Sequence, residues 1–144
     1  MQHGSQAAAI VSGTHRDPFA YLGPHVLADG QHVVRAFLPA ARQVEILDHA
    51  SSRRLAAGAN DAPANRGIFE VCLPEGPSGR YRLRVDWGTD AVDIIDPYQF
   101  GPWLGEADLY LFREGTHLSL AERLGAHVIS MDGVGGVVFV VWAQ

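Results

Sequence analysis

The stretch RYRLRVDW, residues 80–87, constrains this chain more than any other. Tyr81, Leu83, Val85 and Trp87 alternate with Arg80, Arg82, Arg84 and Asp86. A helix returns its side chains to one face every three or four residues, so it cannot sort a period of two; an extended strand does so at every second residue. The segment therefore predicts a strand with one face on a core and the other in water. Such a strand needs paired neighbours and a second layer to cover its apolar side.

Those neighbours are present. HVVRAFL (32–38), VEILD (44–48), IFEVCL (68–73) and AVDII (91–95) are short β-branched and apolar runs. Each is bounded by turn chemistry: PAARQ, AAGANDAPANRG, PEGPSG and GTD. Gly/Pro-rich breaks separating strands by some 8–20 residues predict an all-β fold, an immunoglobulin-like antiparallel β-sandwich.

Beyond Pro97 the pattern changes. GEADLYLFREG (105–115) sets Leu109, Leu111 and Phe112 near helical spacing and stops at a glycine, and THLSLAERLG (116–125) repeats the device with Thr116 as N-cap. Two short helical segments are therefore expected near the C-terminus. Residues 1–12 read as a flexible leader with room for a short helix at 7–11, 13–127 as the sandwich domain and 128–136 as a glycine-rich linker. Residues 137–144, VVFVVWAQ, read as the truncated first strand of a following domain. Laying 33–39 over 138–144 gives one identical position, a faint hint of a second sandwich.

Composition narrows the function classes. With 47% hydrophobic residues in 144, one real core is within reach, and the longest apolar run is far short of the roughly 20 residues that a membrane helix needs. No basic segment leads an apolar stretch at the start, so the chain reads as soluble and intracellular, with no membrane partner. Net charge is −5, and all eleven basic residues are scattered arginines, which argues against nucleic acid as a partner. The single cysteine, Cys72, excludes an internal disulfide and a cysteine-rich metal site; its strand setting reads as a buried, inert thiol.

Catalytic constellations are absent from the sequence. His15 and Asp17, Asp96, His117 and His127 fit none of the metalloprotease, zinc or nucleophile-elbow spacings. Asp17-Pro18 and Asp96-Pro97 read as turn starters, and GVGG (133–136) lacks the lysine and helix of a phosphate loop. No catalytic residue, metal ligand or cofactor is assigned. If the ligand is a sugar, aromatic rings that stack on pyranose faces matter, and the candidates are Trp103, Tyr98 and Trp87. Alternation places Trp87 on the core face, while Trp103, after a proline in FGPWLG, is the better placed for exposure.

GTHRDPFAYLGPH (13–25), VVRAFLPAA (33–41), IDPYQFGPWLGEADLYLF (95–112), EGTHLSLAERLGAH (114–127) and MDGVGGVVFVVWA (131–143), in this order, resemble the amino-terminal region of bacterial glycogen branching enzymes. The resemblance implies a parent in which this sandwich precedes a carbohydrate-binding-type sandwich and a catalytic (β/α)8 barrel. Such a parent is a cytoplasmic glycosyltransferase that cleaves α-1,4 bonds and transfers the segment to form α-1,6 branches. The implied partners are α-1,4-glucan or glycogen through the parent, and intramolecular contacts with the following sandwich and barrel, in a monomer. The acids that perform the double displacement belong to the barrel, so this fragment alone is expected to be inactive. Its implied role is to modulate glucan binding or the length of chain transferred. The alternatives are a non-binding module that docks on its neighbour, or the equivalent region of a related α-amylase-family enzyme that debranches or releases trehalose.

Overall fold

A computed structural model describes residues 2–59, 67–77 and 79–142 of the chain. The chain divides into two compact units, residues 1–99 and 100–144.

The first unit is a β-sandwich. One sheet has three strands in the order β1 (Gly23–Val26), β2 (His32–Phe37), β5 (Ile68–Leu73), and the other has four in the order β4 (Arg54–Ala59), β3 (Gln43–Asp48), β6 (Tyr81–Asp86), β7 (Ala91–Ile94). All pairings are antiparallel. The five runs expected from the sequence match β2, β3, β5, β6 and β7 to within one residue at each end. β4 falls where a loop is expected from residue 56, and the rest of that loop, 60–66, lies outside the described residues. Pairing with β3 through a bulge at Ile46/Leu47 recruits this Ala/Gly-rich stretch, which has little strand character of its own.

The core lies between the sheets. Val34, Ala36, Phe69, Val71 and Leu73 come from one side and Val44, Ile46, Tyr81, Leu83 and Val85 from the other. Within β6 the expected alternation holds: Tyr81, Leu83 and Val85 are buried, and Arg84 is exposed. The opposite face of β6 carries ion pairs from Arg84 to Asp93 at 2.7 Å and, across β3 and β4, from Arg54 to Glu45 at 3.0 Å.

Residues 2–11 are not a loose leader but helix α1 (Gln2–Val11). Ile10 is buried in a second cluster with Tyr21, Leu22 and Ile68, and Ala7, Val11, Phe37 and Tyr98 pack around it. The helix is held by tertiary burial of its apolar stripe, which outweighs the weak intrinsic stability of a helix this short. The same flank holds Arg35, only 4% exposed, whose Nε donates to Glu70 and whose guanidinium lies 4.9 Å from the Tyr21 ring centre. A buried arginine with a carboxylate partner and an aromatic face avoids the large cost of an unpaired buried charge. Cys72, expected to be buried, is exposed, because Phe69, Val71 and Leu73 take the core face of β5 and alternation turns Cys72 outward.

The second unit contains helices α2 (Glu106–Glu114) and α3 (Leu120–Arg123), then a hairpin of β8 (Gly125–Met131) and β9 (Val134–Val140). The helices occupy the two expected segments, although α3 starts after Ser119 and leaves Leu118 wholly exposed. The linker expected over 128–136 is instead most of this hairpin, paired from Gly125↔Val140 to Met131↔Val134. Its turn, Asp132-Gly133, has positive φ at both residues (51° and 81°), the geometry of the tightest hairpin turns. The Asp-Gly pair inside SMDGVG is thus a turn signal rather than a linker.

Ile10→Ala tests whether α1 is structural. It should lower the unfolding free energy of the chain by about 2 kcal/mol or more, the usual cost of emptying a buried isoleucine site. Urea titration monitored by circular dichroism measures it, and an unchanged midpoint would mean that α1 contributes nothing to the sandwich.

Candidate functional site

Three places among the described residues surround the sequence candidates with polar side chains. The first is the turn between β6 and β7. The Trp87 N–H donates to the Asp90 carbonyl at 3.0 Å, and the Gly88 N–H donates to Asp86 Oδ1 at 2.7 Å. Gly88 has φ of 90°, and a Cβ there would stand 2.4 Å from Arg42 Nε, so the arginine side chain lies directly across the glycine. Trp87, read from alternation as a core residue, is 36% exposed. The strand ends at Asp86, so the alternation that buries Tyr81, Leu83 and Val85 no longer governs its side chain.

The second place is the end of the sandwich unit. Asp96 is 2% exposed; its Oδ1 accepts the Tyr98 N–H at 3.0 Å, and its Oδ2 accepts a short hydrogen bond from the Tyr81 hydroxyl. Gln99 completes the knot: its Oε1 accepts the Tyr81 N–H, and its Nε2 donates to the carbonyls of Tyr81 and Asp96, each at 3.1 Å. Arg80 Nη1 donates to the Gln99 carbonyl at 2.6 Å. Burial raises the Asp96 carboxyl above its ordinary range, against the lowering effect of its two hydrogen bonds, and burial with the neighbouring Asp96 charge raises the Tyr81 phenol strongly. The Asp96-Pro97 turn expected from the sequence is this knot. Tyr98 is half-buried, edge-on to Phe19 at 5.1 Å between ring centres.

The third place is in the second unit. Asp108 Oδ1 accepts from His117 Nε2 at 2.9 Å and lies 3.4 Å from Arg123 Nε; its Oδ2 accepts the Gly105 N–H at 3.2 Å, closing the start of α2. The hydrogen bond from His117, then that from Gly105, holds the Asp108 carboxyl below its usual range. His117 Nδ1 and Trp103 Nε1 are buried without partners among the described residues. Trp103, read from the sequence as better placed for exposure than Trp87, is half-buried, with the Arg123 guanidinium 5.6 Å from its ring centre. Nearby, a cavity of about 50 Å³ is lined by Leu104, Leu109, Phe112, Leu124, Val140 and Trp142 among others, with the Phe112 and Trp142 rings 4.6 Å apart.

The three sequence candidates are therefore not one site: Trp87 and Tyr98 lie in the first unit and Trp103 in the second. Of the three, Trp87 presents the most accessible ring. Arg42 is the residue that sequence reasoning missed; only the fold brings PAARQ next to GTD, by pairing Gln43 with Asp86. The carboxylates with shifted acidities are committed to structure: Asp48 is lowered by Ser51, Asp93 by Arg84 and Asp108 by His117, and Asp96 is raised by burial. His15 Nδ1 accepts the Asp17 N–H at 3.2 Å, a turn contact. Among the described residues no group of three or more His, Cys, Asp and Glu is placed to hold a metal ion, and no helix is long and apolar enough to cross a membrane.

Residues 3–98 match the family model described as alpha-1,4-glucan branching enzyme GlgB, N-terminal domain. The chain belongs to this family. Its GlgB N-terminal domain is followed by residues that relatives also share. A 1,4-alpha-glucan branching enzyme GlgB of Nitrobacter hamburgensis is 50% identical over 139 residues, covering 96% of this chain and 19% of that protein. Similar proteins of the same name occur in Rhodopseudomonas palustris, 49% identical over 138 residues, and Pseudomonas fluorescens, 46% over 135 residues, each covered to 18% of its length. The chain thus spans about a fifth of the length of these relatives.

Asp96 gives a prediction with a definite sign. Its folded-state acidity is weakened by burial, so the native state binds the proton more tightly than the unfolded chain. The stability this gives is complete below the unfolded carboxyl value of about 3.9 and is lost as pH rises through the raised native value. Asp96→Asn, which cannot ionise, should gain stability relative to the parent over that interval, while Asp96→Ala, which orphans the Tyr81 hydroxyl and the Tyr98 N–H, should cost about 1–3 kcal/mol at neutral pH. Thermal unfolding midpoints of the three proteins between pH 3 and 8 measure both effects.

Proposed function

We propose that the chain is the accessory amino-terminal part of a cytoplasmic 1,4-α-glucan branching enzyme, and that it adjusts how the glucan is held and how long a segment is transferred. The observation that carries this reading is the alignment of almost the whole chain with enzymes of that name at 45–50% identity. The parent reaction would break an α-1,4 bond and pass the released segment to a 6-hydroxyl, with the reacting acids on the part of the parent that this chain does not span. A region remote from the reacting atoms can still act on the outcome, because holding the substrate at a distance biases which bond reaches the catalytic acids. Removing residues 1–99 from the full enzyme should shift its branch-length distribution, read by debranching the product and separating the released chains. An unchanged profile would count against the modulating role.

A second reading, docking on the rest of a monomeric parent, is favoured by the second unit. Among its described residues none is buried, and nine of the thirteen exposed large hydrophobics among the described residues of the chain fall there. Leu118 is 100% exposed, Val128 87% and Phe139 73%, on a scale where such side chains normally find cover. In the hairpin the exposed face carries Ala126, Val128, Val137 and Phe139, and no charged side chain interrupts it. The cover would come from the following carbohydrate-binding-type sandwich, with residues 137–142 as one of its strands, and from the barrel. Phe139→Asp and Leu118→Asp should lower the thermal midpoint of the full enzyme while leaving that of the 144-residue chain unchanged or higher. Equal effects in both proteins would overturn the docking reading.

A further inference from the structure

We propose that the turn between β6 and β7, with Arg42 laid across it, is a contact site for an α-1,4-linked glucan chain. The inference rests on the proposed glucan-handling role and assigns it to one place.

The turn presents four kinds of group at one end of the sandwich. Trp87 offers a 36% exposed indole, Thr89 a hydroxyl and Asp90 a carboxylate, both exposed, and Arg42 an exposed guanidinium. These are the groups that recognise a pyranose: a flat ring that covers the apolar face formed by the axial C–H bonds, and planar charged forks that bridge adjacent equatorial hydroxyls. Neither the Arg42 guanidinium nor the Asp90 carboxylate has a side-chain hydrogen bond or ion pair among the described residues, in contrast to Arg54, Arg82 and Arg84 on the same sheet. The arrangement is also fixed in place. Arg42 donates its backbone N–H to the Asp86 carbonyl at 2.8 Å, Asp86 caps Gly88, and Trp87 closes the turn onto Asp90. Gly88 is required by its φ of 90°, a conformation that residues with a Cβ rarely adopt.

The alternatives within the chain are weaker. The Trp103 ring already carries Arg123 on its face and has its N–H buried, and Tyr98 is packed against Phe19. The Phe112 and Trp142 cavity is lined by apolar side chains with a single carboxylate already engaged by His117, which leaves few partners for sugar hydroxyls. Docking on another part of the parent does not call for an uncommitted guanidinium and carboxylate flanking the ring, since a charge covered without a partner is costly.

The test uses the uniformly 15N-labelled 144-residue chain, whose three indole signals are assigned by single Trp→Phe variants at 87, 103 and 142. Titration with maltoheptaose should move the Trp87 indole signal saturably in the millimolar range. Arg42→Ala should weaken binding roughly tenfold or more, the scale of one lost charged hydrogen bond. Trp87→Ala should abolish it with the unfolding midpoint retained. A β-1,4-linked oligosaccharide of the same length should not compete; equal competition would overturn the assignment to an α-linked chain. If the Trp103 or Trp142 signal moves while that of Trp87 stays still, this site is overturned and the glucan-handling reading stands. If no indole or amide signal moves at millimolar ligand, both are overturned.

Discussion

The hydrogen bond between the Tyr81 hydroxyl and the buried Asp96 carboxylate is the constraint on which the sandwich unit turns. Tyr81 opens β6, the strand that pairs with β3 on one side and β7 on the other. Its ring fills the core between the sheets, yet a buried phenol must find an acceptor, and Asp96 is the group that meets it. To do so, the backbone after β7 must turn back at once; Pro97 and the Asp96 cap on Tyr98 make that turn, and Gln99 ties the same backbone to both carbonyls it faces. Tyr98 is thereby delivered to the cluster around Ile10, which is where α1 attaches. One core aromatic with a polar tip thus links sheet, turn and helix.

Much of this was legible in the chain, and the reasons are physical. Strands with one face in a core carry their period openly, as β5 and β6 do, while β2, β3 and β7 are placed by short apolar β-branched runs between turn residues. β4 cannot, because Arg54–Ala59 is a strand only by virtue of β3 beside it. α1 was half visible: a three-alanine run suggests a helix, but whether it is anchored depends on Ile68 and Tyr21, distant in sequence. The hairpin was hidden by its glycines. Gly135 and Gly136 look like linker residues, and only Asp132-Gly133, read with apolar residues on both sides, announces two strands instead of one.

The candidate site shows the same division. An aromatic can be found by inspection, but its accessibility is a property of where a strand stops. Had β6 run one residue further, Trp87 would face the core with Tyr81, Leu83 and Val85; because it stops at Asp86, the indole belongs to the turn. Trp103 fails in the opposite direction: a proline before it suggests exposure, whereas Arg123, twenty positions on, lies over its ring. Arg42 is visible only in three dimensions, since nothing in PAARQ distinguishes it from ten other arginines until β3 and β6 are paired.

The two units also differ in how they treat their strand edges, and this bears on what the second unit is for. In the sandwich each of the four edge strands is blunted: β1 carries Pro24, β5 carries Glu70, β4 carries Arg54 and pairs across a bulge, and β7 carries Asp93. These are the devices by which soluble sheets avoid adding foreign strands. β8 and β9 have none of them: across Gly125–Met131 and Val134–Val140 there is no proline and no charged residue other than a histidine. One side of that hairpin is half-buried and the other exposed, and both are mainly apolar, with His127 on the first and Ser130 on the second. A two-stranded ribbon of this kind is marginal by itself, and residues alternating apolar on both faces are the pattern of strands enclosed on both sides. The contrast with the guarded edges of β1, β4, β5 and β7 is the feature of the chain's own chemistry that supports the docking reading proposed above.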